Sequence, residues 1–236
     1  MARILAWLAH LYTSMGLVCA AIIAVLIVQG GDRSFRLAFF WMMIATAIDA
    51  TDGWLARRAR VTEVLPGFDG RILDDLADIH LYVSLPLLLL WRAGTLSGNL
   101  AWLLVLPLLS SAYWWSQVSA KSEDGFFLGF PCYWNVIAFY LYMIRPPDAV
   151  SVAVIVVFSV LTFIPAPYLY ATRGGPFATL INAGSVGWFA LLALALFGRE
   201  DLSTAGLWLS LIYPALYLGL SARVAARRVS SPASKG

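Results

Sequence analysis

The sequence predicts an all-α fold: a polytopic helical bundle in a membrane, with about eight transmembrane helices and both termini in the cytoplasm. Three observations predict it. Of the 236 residues, 61% are hydrophobic and only 12% are charged, whereas a soluble domain is about half apolar and about a quarter charged. Apolar runs close to the roughly 20 residues that a membrane-spanning helix needs recur along the chain. The connections between these runs are too short to hold a soluble domain.

The runs can be taken in order. The first, 7–29, stops at Gly30-Gly31-Asp32, and the second, 35–55, stops at Arg57-Arg58. The third, 72–92, follows Gly70 and closes at Arg92; the fourth, 99–119, closes before Lys121. The fifth, 129–145, meets Arg145-Pro146-Pro147-Asp148, and the sixth, 149–171, meets Arg173-Gly174-Gly175-Pro176. The seventh, 177–198, ends at Gly198-Arg199-Glu200-Asp201, and the eighth, 202–222, runs into Arg223 and Arg227. Charge, Gly or Pro bounds each run. Because further spans follow it, the first run reads as an anchor, not a cleaved leader. No linker or internal repeat stands out, so 1–229 reads as one membrane domain and 230–236 as a short disordered tail.

An even number of spans puts both termini on one side. That side holds eleven of the sixteen Lys and Arg residues, which the positive-inside rule assigns to the cytoplasm together with the 56–71 loop. The net charge of +3 therefore reads as membrane orientation, not nucleic-acid binding. Cys19 and Cys132 both lie in apolar stretches and read as buried thiols, too few for a disulfide framework.

Four carboxylates interrupt this apolar background: Asp49, Asp52, Asp74 and Asp78. An ionisable group at membrane depth is costly and marks a functional candidate. Asp49 and Asp52 are spaced i,i+3, and Asp74 and Asp78 i,i+4, so each pair lies on one helix face. Gly53 and Ala56 share the first face, and Gly70 lies one turn from Asp74, leaving room for a ligand. Four carboxylates on neighbouring helices repel unless cations join them. Hard divalent ions suit oxygen ligands, and a pair of ions suits displacement at phosphorus. Two other readings of the spacing stand beside this one: a proton or cation relay in a transporter, and ion pairing with Arg57, Arg58 or Arg71.

The segment Asp49-x-x-Asp52-Gly53-x-x-Ala56-Arg57, followed by Gly70-x-x-x-Asp74-x-x-x-Asp78, resembles the signature of the CDP-alcohol phosphotransferases. The twelve residues between Arg57 and Gly70 exceed the family's common spacing. This longer insert resembles the bacterial phosphatidylcholine synthase branch, as does Gly129-Phe-Pro-Cys-Tyr-Trp-Asn135, although Cys132 stands where the branch usually carries Ser. The resemblance implies attack of the choline hydroxyl on the phosphorus of CDP-diacylglycerol, with CMP leaving. It implies a divalent-metal site of two Mn2+ or Mg2+ ions at Asp49, Asp52, Asp74 and Asp78, with Asp78 as general base. Gly53, Ala56 and Gly70 would line the CMP pocket, with Arg57 steadying either phosphate or the carboxylates. It further implies a homodimer in the bacterial inner membrane, in contact with membrane lipids, its active site facing the cytoplasm.

Choline is a quaternary ammonium, which aromatic faces attract. The candidates are Tyr82, one turn beyond Asp78, with Trp114, Trp115, Tyr133 and Trp134; Asp75 is a further choline contact or an ion-pair partner. Against this, Trp and Tyr populate the interfacial belts of any such protein. His10 and Thr13 on the first run are candidate substrate contacts, whereas His80 lies off the aspartate face. Asn135 either caps its helix or meets ligand. Rival activities are transfer to serine, inositol or glycerol phosphate, and cation-coupled transport. Phosphorylated acceptors call for extra Arg or Lys, and the third to eighth runs supply few.

Overall fold

The structure, a computed structural model, describes residues 1–120, 126–170 and 177–230, the side chains of 228–230 excepted. Lys121, the connection at 173–176, the Arg228 side chain and the tail beyond Ser230 lie outside the described residues. Helices α1 (Ala2–Gln29), α2 (Asp32–Arg58), α3 (Val61–Val64), α4 (Gly70–Asp78), α5 (Leu85–Arg92), α6 (Val105–Trp115), α7 (Trp134–Ile144), α8 (Asp148–Phe163), α9 (Ala178–Phe197), α10 (Glu200–Ser210) and α11 (Ile212–Ser230) account for most of the chain. Two compact units emerge: residues 1–108 with 133–155, and residues 109–132 with 156–236.

In the first unit α1 and α2 form a hairpin. Its turn is Gly30-Gly31, with φ of 71° and 84°, a conformation that side-chain-bearing residues rarely adopt. At 28 residues, α1 is about 42 Å long, more than the roughly 30 Å of a hydrocarbon core. Gly16 lets it approach α4 closely: a Cβ there would lie 3.3 Å from the Cβ of Ala77. Asp69 starts α4 by accepting hydrogen bonds from the backbone N–H of Arg71 (2.9 Å) and Ile72 (3.4 Å), satisfying two donors that a helix start leaves unpaired. Helix α4 runs through a π-helical segment, Ile79–Ser84, into α5.

Asp32, the first residue of α2, accepts from Tyr142 of α7 (2.6 Å) and from Arg36 (2.7 Å). Burial raises its carboxyl, but the Tyr142 hydroxyl and the Arg36 guanidinium outweigh this and hold it below the usual carboxylate value. These contacts fasten α7 to α2, and Phe39 adds edge-to-face packing on Phe139 (5.5 Å between centroids).

The second unit contains a feature that hydropathy does not reveal. Strands β1 (Phe126–Leu128) and β2 (Pro167–Leu169) pair antiparallel, with Phe126 opposite Leu169 and Leu128 opposite Pro167. Phe127 stacks on Tyr170 at 4.0 Å, and Trp114 donates to the Leu128 carbonyl (2.8 Å). Phe126, Leu169 and Ile181 form a small core under Tyr213 and Tyr217 of α11.

Three helical stretches are long and apolar enough to cross a membrane among the described residues: Ala2–Gln29, Ala178–Phe197 and Glu200–Arg227. The other runs differ from their expected bounds for local reasons. Run 129–145 yields only the eleven residues of α7, about 16 Å, because Gly129 (φ 81°) and Cys132 (φ 57°) turn the chain before Trp134. Run 149–171 stops being helical at Phe163, where Pro165 and Pro167 remove backbone donors and the chain becomes strand. Run 99–119 begins as a 3-10 helix, Gly98–Leu104.

Candidate active site

Helix α2 delivers Asp49 and Asp52, and α4 delivers Asp74 and Asp78. Packing of both helices on α1 brings the two faces together. One carboxylate oxygen each from Asp49, Asp74 and Asp78 lies within 4.8 Å of the others. Asp49 and Asp74 are half-buried, and Asp78 is buried. Asp52 is also buried, one turn further along α2, and stands outside that set of three.

The donor set fits a hard divalent cation. Two oxygens bound to one small ion at about 2.1 Å lie at most about 4.2 Å apart. Three carboxylates gathered within 4.8 Å therefore close on an ion with sub-ångström adjustments. The same closeness makes the group self-repelling without a cation, because like charges at that separation in a partly buried site disfavour joint ionisation.

The motif residues around the carboxylates are organised by close approach. A Cβ on Gly53 would sit 3.2 Å from Nη1 of Arg57, so the Arg57 guanidinium folds back over Gly53. This places a cation beside a half-buried backbone patch one turn from Asp49. Arg58 lies over the Trp54 ring, 5.5 Å from its centroid. Ala56 is half-buried on the same helix.

Gly70 opens α4 beneath His10. A Cβ there would lie 2.7 Å from His10 Cε1 and 3.1 Å from Nδ1. His10 is buried, packed at a tilt against Phe68 (4.5 Å) and edge-on to Trp7 (6.0 Å). The long insert thus docks on α1 through Phe68. Because Gly70 does not have positive φ, its requirement is steric. Gly70→Ala is expected to cost about 1–3 kcal/mol by overpacking and to lower the unfolding temperature of the purified protein. His10→Ala in the same chain should restore much of that loss. A Gly70→Ala protein as stable and active as the wild type would show that the contact does not constrain the site.

The aromatic candidates separate. Tyr82 is buried, and its hydroxyl donates to Asp49 Oδ2 at 2.7 Å; its ring lies 6.3 Å from that of Tyr133. Trp134 is fully buried at the start of α7, and Trp114 and Trp115 pack edge-to-face in the second unit. Asp75 is half-buried and His80 is exposed. Asn135, the second residue of α7 and not its cap, accepts on Oδ1 from Val136 N–H at 2.9 Å, while its Nδ2 reaches Thr46 Oγ1 at 3.5 Å. Thr46 went unnoticed in the sequence. Its signal was available, since it stands one turn before Asp49 on the same face.

Residues 6–216 match the sequence model of the CDP-alcohol phosphatidyltransferase family. The chain belongs to that family. Among known proteins it is similar to the phosphatidylcholine synthases of Mesorhizobium japonicum (32% identical, covering 79% of this chain and 69% of the relative) and Legionella pneumophila (38%, covering 71% and 66%). The enzyme of that name from Pseudomonas aeruginosa is 33% identical, covering 78% of this chain and 76% of its own length. Its branch of the family is the bacterial phosphatidylcholine synthases. The matched segments span about two thirds to three quarters of these relatives.

Proposed function

We propose that this chain transfers the phosphatidyl group of CDP-diacylglycerol to choline and releases CMP. The observation that carries the reading is the meeting of Asp49, Asp74 and Asp78 within a chain that matches the CDP-alcohol phosphatidyltransferase family over 6–216 and is similar to phosphatidylcholine synthases. The choline oxygen forms a bond to the phosphorus that bears diacylglycerol, and the bond from that phosphorus to the oxygen bridging to CMP breaks. The choline proton passes to the Asp78 carboxylate. Asp78 is buried and shares the carboxylate cluster, so a hydroxyl bound there is within its reach.

Asp49, Asp52, Asp74 and Asp78 are assigned to two Mn2+ or Mg2+ ions, which when bound neutralise the pyrophosphate and favour CMP departure. Gly53, Ala56, Arg57 and Gly70 are assigned to CMP and its phosphates. The Arg57 guanidinium over Gly53 supports a phosphate contact there. For the quaternary ammonium, the paired rings of Tyr82 and Tyr133 are the best-supported wall. Trp115, Trp134 and Asp75 are kept as further candidates on residue type, with Trp134 already committed to packing.

The match over 6–216 runs through both compact units and supports reading 1–229 as one transferase domain. Eight crossings, cytoplasmic termini, a bacterial inner-membrane location with the site facing the cytoplasm, and a homodimer complete the proposal. The asymmetry of Lys and Arg supports the orientation.

Membranes containing the protein, supplied with CDP-diacylglycerol, Mn2+ and a panel of labelled alcohols, test the acceptor. Choline is expected to be converted with stoichiometric CMP release. Product from serine, inositol or glycerol 3-phosphate, with none from choline, would overturn the choline assignment and leave the phosphatidyl transfer standing.

A further inference from the structure

The Tyr82 hydroxyl points somewhere that a choline wall does not require. It lies 2.7 Å from Asp49 Oδ2, and Asp49 is one of the three gathered carboxylates. On the same face of α2, one turn before Asp49, stands Thr46, whose Oγ1 donates to the Met42 carbonyl at 2.9 Å. Behind Thr46 stands Asn135 of α7, with Nδ2 3.5 Å from Thr46 Oγ1. Asn135 is itself held by the Val136 N–H on its Oδ1.

Proton bookkeeping gives this chain one direction. The Asn135 amide has only donors on Nδ2, so Thr46 accepts there. Ionised Asp49 has only acceptors, so Tyr82 donates to it. Thr46 has one proton, which it donates to the Met42 carbonyl. All four residues belong to one compact unit. They run from the first turn of α7, through α2, to the π-helical segment that follows Asp78. A π turn shifts the side-chain register by one residue relative to an α-helix, and such turns occur often at functional sites.

We propose that Tyr82 is a positioning residue: its hydroxyl, backed by Thr46 and Asn135, holds the Asp49 carboxylate in the orientation that binds divalent metal. A carboxylate on an otherwise free side chain samples several rotamers, and one donor at 2.7 Å selects among them. Outer partners of this kind commonly change metal affinity 10–100-fold when removed. The inference rests on the metal reading of the aspartate site but not on which alcohol is the acceptor.

Tyr82→Phe keeps the ring and removes the hydroxyl. Mn2+ binding to the detergent-purified protein, read by electron paramagnetic resonance of the free ion with no substrate present, is expected to weaken about 10–100-fold. The unfolding temperature in EDTA should stay near wild type. Thr46→Val should weaken Mn2+ binding in the same direction by a smaller factor, and Thr46→Ser should restore it. Unchanged Mn2+ affinity in Tyr82→Phe overturns the proposal, whether or not stability falls. A raised choline KM with unchanged Mn2+ affinity overturns it as well and assigns the hydroxyl to substrate. A wild-type protein that binds no Mn2+ overturns the metal reading itself, and a protein that binds Mn2+ but does not use choline overturns only the acceptor assignment.

Discussion

Asp78→Asn is expected to lower turnover by at least about 10²-fold, and by up to about 10⁴-fold, the range that general-base catalysis contributes. The argument is chemical before it is geometric. An alcohol is a poor nucleophile while it keeps its proton. A buried carboxylate next to the reacting oxygen can take that proton, whereas an amide cannot. Asp78 is buried and lies in the carboxylate cluster. Asparagine has nearly the same shape and keeps one oxygen, so the fold and the binding of CDP-diacylglycerol should largely survive. Asp75 supplies the internal control. It is half-buried and stands outside the cluster of three, so Asp75→Asn should be much milder. Both variants can be compared in a CMP-release assay at saturating metal. Near-normal turnover in Asp78→Asn, or greater damage from Asp75→Asn, would mean that the base is misassigned.

Removal of metal should abolish the activity altogether. EDTA-treated membranes are expected to release no CMP, and Mn2+ or Mg2+ should restore release. The reason is electrostatic. The carboxylates of Asp49, Asp74 and Asp78 are drawn within 4.8 Å, and the substrate brings a pyrophosphate with two further negative charges. Without cations the site repels its own ligand. Asp49→Asn and Asp52→Asn each delete one anionic ligand at constant shape, and each should raise the metal concentration needed for half-maximal rate or end turnover. Their comparison is informative because Asp49 lies in the cluster of three while Asp52 lies one turn beyond it. Full activity in metal-free buffer would remove the metal reading. It would also return the aspartates to the relay that their spacing alone allows.

The local elements of the site were readable before any coordinates because helices have a fixed period. Asp49 with Asp52, and Asp74 with Asp78, fall on helix faces by counting, and the family motif supplied their chemistry. The apolar runs were equally readable as membrane segments, since composition and length are one-dimensional properties. Their ends were less so. The chain leaves the helix at Phe163 to pair Pro167–Leu169 with Phe126–Leu128, across about forty residues of sequence. Hydropathy averages over a window and cannot register such pairing.

The sequence by itself determined that this is a membrane protein carrying two acidic helix faces of a phosphatidyl-transfer family. It did so because hydrophobic content, helical period and a compact motif are all local. Only the tertiary structure decided which carboxylates meet. The close approach of α1 to α4 at Gly16 and the seating of Gly70 under His10 hold α4 on α1, against which α2 also packs, and Asp49, Asp74 and Asp78 meet there. It also decided that Tyr82 reaches Asp49, and that Asn135 on α7 backs Thr46 across eighty-nine positions. Such contacts depend on how whole helices pack, and helix packing is fixed by the summed fit of many side chains, not by any one spacing in the chain.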